Sequence, residues 1–156
     1  MTQIQYEQKL KSWIAENHVQ AEHLHFENSV HTVEEACAQA KAQPDDFVKT
    51  ICMITNDGKV IGAIVLGSDR ASTTKVGEVL KIERPRTATP EEALEKTGYI
   101  VGGTPPFGYE ATFLMDQKVM EKETVYAGGG TPNALIRIST KELQKANDAQ
   151  VMRVRK

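Results

Sequence analysis

Two cysteines in 156 residues, Cys37 and Cys52, are too few and too far apart for a disulfide framework or a thiolate zinc site. No apolar run approaches the roughly 20 residues that span a bilayer. The N-terminus, Met1-Thr-Gln-Ile-Gln-Tyr6, has neither the basic start nor the apolar centre of a secretory leader. These absences predict a cytosolic chain with no membrane partner. An excess of one charge is lacking too. The 19 Lys and Arg against 21 Asp and Glu leave a formal net charge of −2, so any contact with nucleic acid has to be local and small. The four histidines, His18, His23, His25 and His31, fall early in the chain. Only His23 and His25 share a strand face, and no third ligand accompanies them, so no metal is expected. There is no Gly-x-Ser-x-Gly elbow, and Gly62 to Gly67 lacks dinucleotide spacing. No glycine loop carries the Lys-Ser/Thr of a phosphate loop. What is present is the balance of an ordinary globular chain, 40% hydrophobic and 26% charged. One domain over residues 1–156 is long enough to bury a core.

Periodicity and caps predict an α+β chain. A helix over about Gln5 to Asn17 carries Leu10, Trp13 and Ile14 on its apolar stripe, and Ala21 to Phe26 is a short strand. Thr32-Val-Glu-Glu35 has capping-box spacing and opens a helix whose buried side is Val33, Ala36, Cys37 and Ala40. Phe47 to Ile54 and Val60 to Leu66 flank Asn56-Asp57-Gly58 and read as a hairpin. Helices follow around Thr73 to Lys81 and from Thr89-Pro90, the latter stopped by Gly98. Strands are expected at Tyr99–Val101, Ala111–Met115, Lys118–Met120, Thr124–Ala127, Ala134–Ile138 and Gln150–Val154, with a short helix capped by Ser139. Many short strands, with helices clustered rather than alternating, predict a mixed sheet in one domain.

Lys49 is the one charge in the first hairpin strand. An amine there either snorkels to water at the sheet edge or meets an anion. Cys52, on the opposite face by alternation, reads as a small buried hydrophobe. Downstream stand Gly102-Gly-Thr-Pro-Pro-Phe-Gly108 and Gly128-Gly-Gly-Thr-Pro-Asn133. Prolines stiffen the first loop, and glycines let a ligand approach the backbone. The plainer alternative is a pair of tight turns. Arg70 and Lys75, at the start of the helix around Thr73, either flank an anion or are simply solvated, as do Arg84-Pro-Arg86 and the tail Arg153–Lys156.

At Phe47-Val-Lys49-Thr50, Gly102–Gly108 and Gly128–Gly130 the sequence resembles the YbaK/prolyl-tRNA synthetase-associated editing domains. Order, spacing and length agree from about Ala21 to the C-terminus; the helix within residues 1–20 lies outside the stretch that carries the resemblance. The resemblance implies a compact α+β domain with a mixed, mostly antiparallel, barrel-like sheet and flanking helices. It implies hydrolysis of the ester between a wrong amino acid and tRNA, often tRNA for proline, without metal or cofactor. Lys49 matches the family's active-site lysine. Gly103, Thr104, Pro106 and Gly108, preceded by Gly102, match the loop lining the aminoacyl pocket. Gly128, Gly129 and Gly130 match the later glycine turn beside it. Two departures bear on specificity: many members have Ser where this chain has Pro105, and Leu135 falls near an acidic residue that some members carry.

The expected activity is therefore that of a trans-editing aminoacyl-tRNA deacylase, since 156 residues hold no anticodon-reading or synthetase region. Its partners would be the acceptor end of aminoacyl-tRNA, with Arg70 and Lys75 as tRNA contacts, and an aminoacyl-tRNA synthetase. An activated ester needs only a placed water and a stabilised oxyanion. Lys49 can supply the charge, loop amides can hold the carbonyl, and the substrate's own ribose hydroxyl can help activate water. The stiff Gly102–Gly108 loop predicts a small amino acid, such as alanine, serine or cysteine. Two other readings stand beside it: a non-catalytic module binding tRNA ends or a regulatory partner, and a hydrolase of free aminoacyl esters. No motif specifies the oligomeric state.

Overall fold

Side-chain caps set the helices where the sequence predicts them. The computed structural model describes residues 1–156. In α1 (Gln3–Glu16) the Thr2 hydroxyl accepts from Gln5 N–H, and the Gln5 side chain accepts from Thr2 N–H in return. The same reciprocal box opens α2 (Val33–Ala40) at Thr32 and Glu35. Ser72 caps α3 (Thr73–Leu80), and Ser139 caps α5 (Thr140–Asn147). Thr89 and Glu92 box the start of α4 (Pro90–Thr97), which ends on Gly98 in the left-handed conformation. Each cap satisfies an otherwise orphaned donor, typically worth ~1 kcal/mol.

The strands divide between two sheets. In the first, β1 (Ala21–His25), β7 (Ala134–Ser139) and β6 (Thr124–Gly128) pair antiparallel in the order β1-β7-β6. The second has five strands in the order β4-β2-β3-β5-β8. Here β2 (Val48–Ile54) and β3 (Val60–Leu66) form the expected hairpin, and β4 (Arg86–Thr87) lies antiparallel on the outer edge of β2. On the other side β5 (Thr112–Met115) and β8 (Gln150–Val151) run parallel to their neighbours. Central β3 is buried on both faces, which is why it reads as an unbroken apolar run.

The main core lies between the sheets. Val48, Ile64, Leu66 and Phe113 from one meet Val125, Ala127, Ile136 and Ile138 from the other, closed by Leu10 and Ile14 of α1 and Leu143 of α5. The opposite face of the five-stranded sheet packs Met53, Ile61, Val65 and Leu114 under Val76 of α3 and Val154. A smaller cluster of Phe47, Ala36, Val30 and Leu135 fills the junction beside α2.

Four expectations change. The barrel-like arrangement is built from two open sheets; the stretch of β2 that β4 leaves uncovered runs beside β6, and the two sheets pair only through a parallel bridge between Phe47 and Tyr126. Tyr99–Val101 is not a strand: Tyr99 is fully buried under the Lys9 ammonium, and the chain turns at once, Gly103 N–H donating to Ile100 O at 3.2 Å. Lys118–Met120 lies in a 3₁₀ helix, Gln117–Glu121, because the Asp116 carboxylate caps it through Lys118 N–H. The last strand stops at Val151, since Val154 and Arg155 are drawn to Asp116 instead. No helix is long and apolar enough to cross a membrane.

Candidate functional site

A cavity of about 300 Å³ opens where the two sheets part. Its walls come from β2, α2, the loop after α4 and the end of β6, and they include Lys49, Gly102, Thr104, Gly128, His31 and Leu135. The parting of the sheets also leaves main-chain groups without strand partners. Along β2, Phe47 O accepts from Gly67 N–H at 2.7 Å and Thr55 N–H donates to Lys59 O at 2.9 Å, so odd-numbered residues serve β3. The even-numbered ones face the other edge, where β4 reaches only Met53 and Ile54, and Cys52 O takes Ala88 N–H. By that alternation the Thr50 N–H and C=O point at the gap. The pairing of Gly129 N–H with Ala134 O likewise turns the Gly128 peptide groups away from β7, toward β2. Donors and acceptors thus face each other across a largely apolar cavity.

Lys49 is partly buried, with Nζ 3.5 Å from the Gly67 carbonyl oxygen. Burial pushes its ammonium below the ordinary lysine range and the Arg70 guanidinium adds to this, while Asp69 opposes both. Asp69 is itself held 3.3 Å from Lys118 Nζ. Burial raises the Cys52 thiol, so no thiolate nucleophile stands in this cavity at neutral pH.

The proposed loop residues divide by position. Gly102, Thr104 and Gly128 line the cavity. Gly103 is buried beneath it, and a Cβ there would collide with the Thr131 backbone. The expected close approach at Gly103 is thus to protein, because the second glycine segment packs on it. Gly130 N–H donates to Gly103 O at 2.7 Å, and a Cβ on Gly128 would strike the Thr104 carbonyl oxygen. Gly129 packs on Ala134 and Leu135. Pro106 O accepts from Asn147 Nδ2 at 3.0 Å, and Gly108 lies against Trp13 and Leu10 of α1. These residues shape the wall from behind. Arg70 and Lys75 are outside the cavity lining; Lys75 Nζ sits 3.7 Å from Glu78.

His31 and Glu7 escaped sequence reasoning. The His31 ring packs on Gly102, where a Cβ would overlap it, and lines the cavity. Nothing in its spacing from Lys49 signals this, because the contact is made by a loop closing in three dimensions. Glu7 did leave a signal: it falls at i, i+3, i+7 with Leu10 and Ile14, a charge on the apolar stripe, and is 6% exposed. His23 and His25 hold other groups. His23 Nε2 is 2.9 Å from Gly129 O, and His25 Nδ1 is 2.8 Å from a Glu7 oxygen. No group of three His, Cys, Asp or Glu is placed to hold a metal ion.

Two open sheets joined at one bridge, with a lysine and two glycine segments around the gap, define a domain class shared with known proteins. The chain belongs to the aminoacyl-tRNA editing domain family, whose profile matches residues 27–146. It is 27% identical over 141 residues to the uncharacterized protein YwhH of Bacillus subtilis (strain 168), covering 89% of this chain and 87% of that one. It is 29% identical over 113 residues to the proline–tRNA ligase of Thermotoga neapolitana, covering 66% of this chain and 19% of the ligase. Among solved structures, a proposed trans-editing enzyme for prolyl tRNA synthetase superposes with a TM-score of 0.87 at 28% identity, covering 97% of each chain.

Proposed function

We propose that this chain is an aminoacyl-tRNA deacylase acting in trans, and that the cavity takes the aminoacylated 3′ end of tRNA. One observation carries the reading: Lys49, the Gly102–Thr104 loop and Gly128 converge on a single cavity between two parted sheet edges. Family membership and the full-length structural match support it.

In this reading the amino-acid side chain faces the apolar wall that includes Ile51, Ala127 and Leu135. The ester carbonyl lies near Lys49. Water attacks the carbonyl carbon, and the oxygen gains negative charge as the tetrahedral intermediate forms. Lys49 and the peptide N–H groups of Thr50 and Gly128 are the available counter-dipoles. The carbon–oxygen bond to ribose then breaks, and the leaving ribose oxygen takes up a proton. The cavity is lined by no carboxylate or serine, and His31 is its one imidazole. In the proposed step the vicinal ribose hydroxyl of the substrate relays the proton, taking it from the attacking water while passing its own to the leaving ribose oxygen. The cavity measures about 300 Å³, and the expected preference for a small amino acid rests on the stiffness of the Gly102–Gly108 loop. A single methylene is worth only ~1–3 kcal/mol in such a sieve, so preference between neighbours in size is graded rather than absolute.

The deciding experiment incubates the protein with a panel of tRNAs charged with alanine, serine, cysteine, proline and larger residues. Faster release of a small amino acid is expected, and Lys49→Ala should slow it by on the order of a hundredfold without loss of fold. No release from any tRNA, or an alanine variant as fast as the parent, would overturn the reading.

A further inference from the structure

We infer that α1 is a working part of the site, with Glu7 as the positioning residue that fixes both glycine segments. The inference rests on the deacylase reading for its kinetic consequence, but its structural basis is separate. Glu7, His23 and His25 all precede residue 27, where the family match begins.

The connection can be followed atom by atom. The Glu7 carboxylate is buried on the inward stripe of α1 and accepts a hydrogen bond from the Thr131 hydroxyl at 2.8 Å. His25 Nδ1 lies 2.8 and 3.0 Å from its two oxygens, so the imidazole N–H donates into the same carboxylate. Thr131 is fully buried. Its backbone is packed against Gly103, and next to it Gly130 N–H donates to Gly103 O at 2.7 Å. Thr104, next to Gly103, and Gly128, two residues before Gly130, touch each other and line the cavity. From β1, His23 Nε2 holds Gly129 O at 2.9 Å. Gly130, at φ +100°, lies over the Tyr6 carbonyl of α1. A single buried carboxylate thus secures the segment on which the glycine turn and the glycine-proline loop meet.

A charge on an otherwise apolar stripe is costly unless fully partnered. A hydrophobic residue would serve packing equally well or better. A carboxylate there is explained by what it orients: it fixes Thr131, and through it the spacing of Thr104 and Gly128. Small misplacements of such groups cost rate out of proportion to their effect on binding.

The test uses Glu7→Ala, Glu7→Gln and Thr131→Val in the full chain. Two readouts are taken: kcat and KM on the best aminoacyl-tRNA, and amide hydrogen exchange at Gly128–Gly130 against the central strand β3. Glu7→Ala and Thr131→Val should each lower kcat about tenfold with KM within about twofold. The double variant should lose clearly less than the product of the two single losses, because both variants break the shared Glu7–Thr131 bond. Glu7→Gln, which keeps an acceptor for Thr131, should recover most of kcat. Exchange should quicken at the glycine turn and stay unchanged in β3. Unchanged kcat and turn exchange, strictly additive losses, or exchange that quickens equally in β3 would overturn the inference. A parent protein inert on every aminoacyl-tRNA would defeat the deacylase reading alone; the exchange readout then decides the positioning role by itself.

Discussion

The surroundings of Lys49 work against its charge. Burial and the nearby Arg70 both disfavour the ammonium, and only Asp69 favours it. If the ammonium stabilises the oxyanion, activity is full while Lys49 is protonated and falls as pH rises through its lowered pKa. The alkaline limb of kcat/KM, corrected for spontaneous ester hydrolysis, should therefore lie below the ordinary lysine range near 10.4. Arg70→Met should move that limb upward, and Asp69→Asn should move it downward. A limb that ignores both substitutions would show that the titrating group is not Lys49. His31 belongs to the same scale. Its ring reaches the cavity only because residue 102 is glycine, so Gly102→Ala should displace the ring as well as strain a backbone at φ +95°.

At the scale of elements, much of the fold was legible because its signals are local. The Thr32 and Thr89 boxes, the Asn56-Asp57-Gly58 hairpin and the Gly98 stop each depend on residues within one turn of each other. The failures came where a side chain or a tertiary contact overrode a short run. Lys118–Met120 reads as a strand after Asp116-Gln117, yet the Asp116 carboxylate caps it into a 3₁₀ turn. Tyr99–Val101 is apolar like a strand, yet only Tyr99 is buried, Val101 is exposed, and the segment turns without pairing in either sheet. Lys49, Gly102, Thr104 and Gly128 could be named from sequence as site candidates. That Gly103 faces Thr131 rather than the cavity could not, because this depends on how two remote loops stack. The stacking gives a definite expectation. Gly103→Ala must move the Thr131 backbone, so it should cost ~1–3 kcal/mol of stability and more kcat/KM than Thr104→Ala. Equal, small effects would mean the loops have room to part.

Asp116 tests the same scale through pH. It is fully buried and accepts from Lys118, Val154 and Arg155 main-chain N–H groups and from the Arg155 guanidinium. Burial alone would raise its pKa, but these hydrogen bonds together hold it below the ordinary carboxylate range. Its stabilisation is therefore complete above the unfolded value near 3.9 and is lost as pH falls through the lower folded value. Asp116→Ala should remove on the order of 3 kcal/mol at neutral pH, leaving a buried guanidinium contact unpaired. It should also flatten stability against pH in that acid window. Urea unfolding of parent and variant at neutral and acid pH checks both, and an unchanged midpoint at neutral pH would refute it.

For the whole molecule, a net charge of −2 limits how tRNA can be held. Several cations are already committed: Lys75 to Glu78, Arg86 to Glu92, Lys118 to Asp69, Lys122 to Asp45 and Asp46, and Arg155 to Asp116. Arg70 is different. Its side chain is exposed, it is close enough to Lys49 to depress that ammonium, and the C-terminal tail runs beside it, with Lys156 N–H donating to Arg70 O at 2.8 Å. Lys49 and Arg70 are thus neighbouring cations, with the exposed Arg153 and Lys156 of the tail next along the chain that runs beside Arg70. Binding carried by so few phosphate contacts should give a shallow plot of log K against log salt, on the order of two to four contacts. Arg70→Ala should flatten that slope by about one and weaken all aminoacyl-tRNAs alike, whereas Lys75→Ala should change it little, because Glu78 already neutralises Lys75. The contrast separates anchoring from selection: on the proposed reading, phosphate contacts would fix where the acceptor end lies and the cavity would decide which amino acid is released. Filter binding across a salt series with both variants measures it. A steep slope, or a Lys75 effect equal to that of Arg70, would place the tRNA on a different face.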